Sequence, residues 1–243
     1  MKYYRADVEE RRELGSYTLL RYRWEGRVEP GQFVMARAAG YPIALDPFLA
    51  RPFSFYDHDG EVASLLFEVR GRGTANLDLA PTIEVTAPLG QGFRIEPGLG
   101  RAALLGGGIG VAPLKILGRH LDGMNVPHDT FLGFADEGTS VAAREFPGAR
   151  VATMDGSVGV HGTVLDTGVA LQDYGAVYSC GPNPMLAAVK LAAGNDMLCQ
   201  LSVEERMGCG NGSCNGCVVP VHRGGYVRSC IEGPVFDAGL LAW

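Results

Sequence analysis

This sequence of 243 residues has no long apolar run. A membrane-spanning helix needs a run of about 18 apolar residues. Residues 1–10 lack the apolar stretch of a secretory signal, and no run of Lys or Arg occurs elsewhere. The formal net charge is −6, which also argues against a nucleic-acid partner. We therefore expect a globular cytoplasmic protein that binds neither membranes nor nucleic acid.

The usual signatures of nucleophilic and metal-assisted hydrolysis are missing as well. The five histidines are not paired with acids in a metal-binding motif, and no nucleophile elbow is present. Glycine, in contrast, is abundant at 35 residues. This abundance predicts many turns and close approaches of the backbone to bound ligands.

Four of the six cysteines lie close together near the end of the chain. Their spacing is C-x4-C-x2-C-x12-C, and the residues are Cys209, Cys214, Cys217 and Cys230. Three thiolates from a glycine-rich loop and a fourth beyond a hairpin are typical of a plant-type [2Fe–2S] cluster. A structural zinc site is the alternative, although zinc sites usually draw their cysteines as two C-x2-C pairs. A disulfide framework does not fit a chain without a secretory signal.

The first part of the chain, residues 1–98, has the pattern of an antiparallel β-barrel. Short β-rich segments separated by Gly and Pro predict strands at 17–24, 32–37, 65–70 and 83–87. No long helical pattern lies between them. Several such strands in succession favour a closed barrel over a sheet covered by helices.

The middle part, residues 99–200, alternates strands with helices. The predicted strands cover 101–105, 129–134, 149–153 and 176–180, and the predicted helices cover 111–121 and 184–193. This alternation predicts a doubly wound, parallel α/β domain. Residues 201–243 are too few for a core of their own, so we expect the metal centre to hold them together, with a hairpin around 222–226.

Two motifs in the barrel region offer groups for a ligand with phosphates and an aromatic ring. Arg51 precedes Pro52, whose fixed φ makes the arginine a positioned cation for a pyrophosphate. Ser54, beside Phe53, offers a hydroxyl for a ring nitrogen. In isolation, an Arg-Pro pair is also common at an ordinary strand edge.

The second barrel motif is Gly71-Arg-Gly-Thr74. It predicts a helix that begins at Ala75 and is capped by the hydroxyl of Thr74. The N-terminus of a helix attracts anions, so this turn is expected to bind phosphate. A plain helix cap without a ligand is the alternative.

Two further motifs each follow a predicted strand of the α/β region. Residues 106–113 have the sequence Gly-Gly-Gly-Ile-Gly-Val-Ala-Pro, which suits the close approach of a dinucleotide although it ends in Pro where the common fingerprint has Gly. Residues 180–185 begin with Cys180, which is placed to approach a nicotinamide ring. An inert buried thiol is the alternative for this cysteine.

These motifs occur in the order R-P-x-S, G-x-G-T, G-G-G-I-G-x-A-P, C-G-P-x-P-M and the four cysteines. In this order the chain resembles the ferredoxin–NADP reductase superfamily over essentially its whole length. Within it, the chain is most similar to the electron-transfer subunits of class 1B dihydroorotate dehydrogenases, above all in residues 205–210 and 230–236. The resemblance implies an FAD-binding barrel (1–98), an NAD-binding domain (99–200) and a [2Fe–2S] segment (201–243).

The resemblance also implies which residues bind each cofactor. FAD would be held by Arg51, Pro52, Phe53, Ser54, Leu66, Phe67, Glu68, Gly73 and Thr74. NAD would be held against the flavin by Gly106, Gly107, Gly108, Ile109, Gly110, Cys180, Gly181, Pro182 and Met185. The cluster would be ligated by Cys209, Cys214, Cys217 and Cys230. No acid–base residue is expected, since hydride transfer depends on orientation and on the electronics of the flavin.

The partner that the resemblance implies is an FMN-containing catalytic subunit that converts dihydroorotate to orotate in pyrimidine biosynthesis. Two copies of each subunit would form a heterotetramer, with electrons running from dihydroorotate to NAD⁺. We expect Leu240, Leu241 and Trp243 to pack on this partner, with packing on the chain's own surface as the alternative. Asp136 and Glu137, which follow a predicted strand, favour NAD over NADP, although a plain surface charge explains them equally well.

Two alternatives of different character stay open. One is a reductase subunit of another complex in the same superfamily, of the hydrogenase gamma or ferredoxin–NADP reductase type. The other is a binding module stapled by zinc, whose glycine loops hold no nucleotide. The colour of the protein separates the second alternative from the first, because zinc proteins without flavin are colourless.

Overall fold

The computed structural model describes residues 2–40 and 46–243. Its strands are β1 (Tyr3–Leu14), β2 (Tyr17–Arg23), β3 (Phe33–Ala38), β4 (Arg51–His58), β5 (Val62–Phe67), β6 (Thr82–Thr86), β7 (Ala102–Gly107), β8 (His128–Phe134), β9 (Arg150–Thr153), β10 (Val160–His161), β11 (Ala176–Cys180), β12 (Leu198–Ser202), β13 (Val218–Pro220), β14 (Tyr226–Arg228) and β15 (Val235–Asp237). Its helices are α1 (Arg72–Leu79), α2 (Ala112–Gly123), α3 (Glu137–Ser140) and α4 (Asn183–Ala193). None of the helices in the described part of the chain has the length and apolar character to cross a membrane.

The first six strands close into the predicted antiparallel barrel, in the order β1-β2-β5-β4-β3-β6. Its interior is filled by fully buried side chains such as Leu20, Phe55 and Leu65. Strand β1 was not predicted, because most of its residues are charged and exposed and show no apolar alternation. It forms nonetheless, since it pairs with β2 on one side and β6 on the other. The strand expected at 65–70 begins earlier, at Val62, where a tight turn at Gly60 ends.

The second sheet has the order β10-β9-β8-β7-β11-β12-β15. Its first six strands are parallel, and β15 joins antiparallel to β12. Helix α2 packs on one face through Leu114 and Leu117, and α4 packs on the other through Leu186 and Val189. The predicted doubly wound arrangement is therefore confirmed, within a sheet that is mixed because of β15. The strand order reverses between β7 and β11.

The C-terminal segment is built into the α/β domain, which corrects our expectation that the metal centre alone holds it together. Strand β15 extends the large sheet, and β12 crosses the expected boundary at residue 200. Leu241 is fully buried, and it packs with Phe236 and the partly buried Trp243 in the core under α4. The alternative of packing on the chain's own surface therefore holds for Leu241 and Trp243, while Leu240 remains 41% exposed. The predicted hairpin is present as β13 and β14.

The barrel and the α/β domain share an apolar core. Leu14, Tyr17 and Leu66 of the barrel belong to the same buried cluster as Val111 and Leu114 at the start of α2. Burial of these side chains fixes the open end of the barrel against the carboxyl edge of the large sheet. A cavity remains where the two edges meet.

Candidate functional site

This cavity has a volume of about 580 Å³. The barrel contributes the start of β4 and the end of β5, and the α/β domain contributes the turns after β7, β11 and β12. The residues of its wall that the sequence analysis had proposed are Arg51, Pro52, Phe53, Ser54, Leu66, Phe67, Glu68, Ile109 and Cys180. Residues expected to contact a flavin and residues expected to contact a nicotinamide therefore lie around one space.

A positive charge and a helix N-terminus meet at the rim of this cavity. A Cβ atom added to Gly73 would lie 2.7 Å from Nε of Arg51, so the guanidinium rests directly on the first turn of α1. Arg51 donates a hydrogen bond to the Leu49 carbonyl and has no carboxylate partner among the described residues. A cation and free helical N–H groups at one point form a site for an anion such as a pyrophosphate.

Thr74 does not cap this helix in the way the sequence suggested. Helix α1 starts at Arg72, with Gly71 in the N-cap position, so Thr74 is the third helical residue. Its hydroxyl oxygen accepts hydrogen bonds from the backbone N–H groups of Arg70 (3.0 Å) and Gly71 (3.2 Å). The hydroxyl therefore fixes the turn that leads into the helix, and the N–H groups of the first turn stay available for a ligand.

The two glycine-containing turns of the α/β domain lie side by side. Strands β7 and β11 are parallel neighbours, with Gly106 paired to Cys180, so the chain leaves the sheet at the same edge in both. This is the point where the strand order reverses, which is where doubly wound proteins bind ligands. Ile109 and Cys180 reach the cavity wall from these turns.

The glycines of these turns allow the turn after β7 and the turn after β11 to pack closely against each other. A Cβ atom on Gly110 would lie 2.6 Å from the Cα of Gly181, and one on Gly107 would collide with the sulfur of Met185. Gly108 differs, because it has a φ of +54° and faces open space. Gly107 and Gly110 are thus needed for packing between the two turns, while Gly108 exposes backbone toward the edge where a dinucleotide would pass.

Cys180 is an uncharged part of the cavity wall. The residue is 2% exposed, and burial, reinforced by the charge of Glu204, raises the pKa of its thiol well above the ordinary value although Ser202 hydrogen-bonds to it. A thiol that stays protonated is a poor nucleophile. The side chain can therefore contact a ring without reacting with it.

Two acidic residues that line the cavity, Glu204 and Glu205, were not predicted from the sequence. Glu204 carries a perturbed carboxyl. The side chain is accessible to the solvent inside the cavity, yet desolvation by the surrounding walls raises the pKa of its carboxyl, against the opposing charge of Arg70. Glu204 follows β12, a strand that was not predicted. An acid directly after an apolar segment would have been the signal.

The four clustered cysteines form two pairs. In each pair the backbone N–H of one cysteine donates to the thiol sulfur of the other, from Cys214 to Cys209 and from Cys230 to Cys217. Burial opposes ionisation of Cys209, but N–H groups led by that of Asn211 outweigh it and lower the pKa to about 7. Burial and the contact with Cys217 raise the pKa of Cys230 to about 12.

This arrangement fits a cluster of two irons better than one tetrahedral ion. A [2Fe–2S] cluster takes two thiolates on each iron, whereas zinc needs four ligands around a single point. Backbone N–H groups also approach the sulfurs, at 3.4 Å for Cys214 N–H to Cys209 Sγ and for Cys230 N–H to Cys217 Sγ. Such contacts stabilise thiolate charge.

Comparison with known proteins gives a consistent picture. Residues 204–242 match the model of the iron-sulfur cluster binding domain of dihydroorotate dehydrogenase B. The chain is 40% identical over 224 residues to the electron transfer subunit of dihydroorotate dehydrogenase B (NAD(+)) of Bacillus caldolyticus, covering 87% of this chain and 86% of the relative. It is 37% identical over 223 residues to the subunit of the same name in Clostridium acetobutylicum, covering 89% and 87%.

Solved structures agree with the fold. A structure of NADH-dependent reduced ferredoxin-NADP oxidoreductase, described in terms of flavin-based electron bifurcation, superimposes with a TM-score of 0.83 at 24% identity, covering 98% of this chain and 90% of the other. Phthalate dioxygenase reductase, described as transferring electrons from pyridine nucleotides to [2Fe-2S], superimposes with a TM-score of 0.64 at 12% identity, covering 97% and 95%.

Proposed function

Because the chain belongs to the family of electron transfer subunits of dihydroorotate dehydrogenase B (NAD(+)), we propose that it carries electrons between NAD(H) and the catalytic subunit of that enzyme in the cytoplasm. FAD would exchange a hydride with the nicotinamide and the [2Fe–2S] cluster would exchange single electrons with the partner. The partner would be an FMN-containing subunit that oxidises dihydroorotate, assembled as two copies of each chain. The work of this chain is then to bind, align and shield these groups.

The main support for this proposal is that one cavity is lined both by the barrel motif that begins at Arg51 and by the turns after β7 and β11, where the strand order reverses. Arg51 and the first turn of α1 would hold the FAD pyrophosphate, with Gly73 allowing the close contact between them. Ser54, Leu66, Phe67 and Glu68 line the cavity beside Arg51 and would enclose the flavin ring.

The nicotinamide would enter from the α/β side. Ile109 and Cys180 form the wall that faces the barrel residues, and Gly108 to Gly110 would carry the phosphates along the sheet edge. Asp136, at the carboxyl end of β8, would select NAD over NADP, because an acid there accepts a ribose hydroxyl and repels a 2′-phosphate. Pro182 and Met185 would support Gly107 and Gly181 from behind.

The test is to purify the protein with its partner and record flavin content, iron content and the visible spectrum. We expect one FAD and about two irons per chain, reduction of the flavin by NADH, and dihydroorotate oxidation with NAD⁺ by the complex. Arg51→Gln is expected to lose FAD while keeping iron, and Cys214→Ser to lose iron while keeping FAD.

The outcomes separate the proposal from its alternatives. Flavin and iron with a different co-purifying partner would keep the cofactors and contradict the pathway. Zinc without flavin would contradict electron transfer altogether. Retention of FAD in Arg51→Gln, or retention of iron in Cys214→Ser, would contradict the role proposed for the substituted residue.

A further inference from the structure

A single layer of side chains separates the cavity from the cysteine centre. Phe33, Ala50 and Met207 line the cavity, and the same three residues belong to the apolar cluster that contains Cys217 and Cys230. Phe33 is 2% exposed and Ala50 4%. We call these three residues the dividing wall. Its two sides face the proposed flavin site and one pair of cysteines.

The two cysteines on the side of the dividing wall are more buried than the other two. Cys217 and Cys230, on the wall side, are 2% and 1% exposed. Cys209 is half-buried and Cys214 is exposed. An iron held by Cys217 and Cys230 would therefore lie toward the cavity, and an iron held by Cys209 and Cys214 would lie toward the surface.

The position of Phe33 in the wall is fixed from several directions. Its backbone pairs with Ser54 of β4 and forms an isolated bridge with Leu89. A Cβ atom on Gly90 would lie 2.9 Å from Cε1 of the Phe33 ring, so the glycine allows the ring its place. Ser54 itself lines the cavity. The ring therefore cannot leave the wall without disturbing the barrel.

The position of Met207 ties the wall to the cysteine loop. The residue stands two positions before Cys209, in the strand-free segment that runs from the cavity to the loop. Its side chain is half-buried and contacts the apolar cluster around Cys217 and Cys230. One residue from the barrel, Phe33, and one from the cluster segment, Met207, therefore close the wall by packing. No water-filled gap is required between the cavity and the cysteine centre.

We propose that Phe33 and Met207 form the route by which electrons cross between the flavin cavity and the cysteine centre, with the iron of Cys217 and Cys230 as the inner stop. This inference rests on the proposed function. It identifies Phe33 and Met207 as the residues that position the two redox sites for electron transfer. Each crossing moves one electron and changes one iron between ferric and ferrous. In the direction of dihydroorotate oxidation the partner subunit supplies two electrons, so two crossings reduce the flavin for each hydride that passes to NAD⁺. NADH drives the same two crossings in reverse.

The experiment measures the crossing itself, in the holoprotein with its partner. An electron is placed on the flavin by a light-generated one-electron reductant, and its arrival at the cluster is followed by absorbance. Phe33→Leu and Met207→Ala are expected to slow this arrival several-fold, because each opens space in the wall. Midpoint potentials, iron content and the electron paramagnetic resonance spectrum of the reduced cluster are expected to stay as in the unaltered protein.

Two matched controls lie in the same apolar cluster but not on the cavity. Met35→Leu matches Phe33→Leu as a change of a fully buried side chain, and Leu89→Ala matches Met207→Ala as a truncation of a half-buried one. Because Leu89 bridges the backbone of Phe33, Tyr3→Ala serves as a second truncation control in the same cluster, away from both Phe33 and the cavity. Met35→Leu and Tyr3→Ala are expected to transfer electrons at the unaltered rate, and Leu89→Ala reports any shift of the Phe33 backbone. Equal rates in wall variants and controls, with both cofactors bound, would overturn the inference and leave the proposed function standing. Failure of NADH to reduce the flavin in the unaltered protein would overturn both.

Discussion

At the scale of single residues, the turns beside the cavity depend on the absence of side chains. Gly110 shows this most directly, because a Cβ atom there would overlap the backbone of Cys180 and Gly181, which cannot yield as a flexible side chain can. The sequence shows that position 110 is a glycine, but the reason that no side chain fits there lies in the neighbouring turn after β11.

We predict that Gly110→Ala destabilises the protein by about 1–3 kcal/mol, the usual cost of overpacking a dense site. It should also weaken NAD⁺ binding, since the turn after β7 must move. Thermal unfolding and equilibrium titration with NAD⁺ measure the two effects. Gly123→Ala is the control, because its added methyl meets nothing within 4 Å at the end of α2. Equal behaviour of the two variants would contradict the packing explanation.

The environment of the Asp129 carboxyl leads to a prediction of how the stability of the protein depends on pH. Its carboxylate accepts hydrogen bonds from Arg101 and from the Tyr174 hydroxyl, each at 2.6 Å. The hydrogen bond from Arg101 holds the pKa of Asp129 below its ordinary value of 3.8; burial, the second-largest effect, opposes it, and the hydrogen bond from Tyr174 adds a smaller lowering. A carboxyl with a lowered pKa stabilises the folded state above its unfolded pKa, and this stability is lost as the pH falls through the folded pKa.

We therefore predict that Asp129→Asn loses about 1–2 kcal/mol at neutral pH. This is less than the about 1.5–3 kcal/mol of a well-shielded hydrogen bond to a charged group, because the Arg101 side chain is 54% exposed. The deficit should begin to shrink as the pH falls below 3.8, where the carboxyl of the unfolded chain takes up a proton, and should vanish below the lowered pKa of the folded state. Denaturant unfolding as a function of pH measures it. Tyr174→Phe removes one donor only and should cost less. A deficit that is independent of pH would show that the charge of Asp129 contributes nothing.

At the scale of elements, the tail after β15 is held by a side chain from α4. The ammonium of Lys190 donates to the carbonyls of Leu241 (2.7 Å) and Trp243 (2.9 Å). Of the three apolar residues in this tail, Leu241 is buried and Trp243 is partly buried, while Leu240 is 41% exposed. The alternative of packing on the chain's own surface therefore holds for Leu241 and Trp243. The correct surface lies within the chain, under α4.

We predict that Lys190→Met, which keeps the apolar stem but removes the donors, lowers stability by about 1 kcal/mol. Amide hydrogen exchange at residues 241–243 should become faster, because the tail detaches locally before the protein unfolds. Lys190→Arg retains donors and should lie closer to the unaltered protein. Unchanged exchange in the methionine variant would mean that Leu241 alone anchors the tail.

At the scale of the whole molecule, both ion pairs and apolar packing join the barrel to the α/β domain. Arg12 and Glu145 approach to 3.2 Å, with side chains 46% and 23% exposed. Exposed pairs of this kind contribute about 0.2–1 kcal/mol and are screened by salt. Leu14, 6% exposed in the shared core, belongs to a class whose truncation costs about 2–5 kcal/mol. Apolar packing is thus the stronger of the two.

A double-mutant cycle tests this ranking. Arg12→Met, Glu145→Gln and the double variant should give a coupling energy below about 1 kcal/mol that falls with added salt. Leu14→Ala should lower stability by several times that amount. A coupling energy larger than the effect of Leu14→Ala would reverse the ranking of charge and packing at this interface.

The sequence by itself determined the barrel, the doubly wound sheet and the grouping of the cysteines, because periodicity, glycine turns and ligand spacing are local properties of the chain. Only the tertiary structure decided the pairing of β15 with β12, the formation of the charged strand β1, the approach of Glu204 to the cavity and the burial of Leu241. It also decided that Phe33 and Met207, 174 positions apart by their numbers (207 − 33), share one wall. Such contacts depend on which distant surfaces bury one another, and no local pattern encodes that choice.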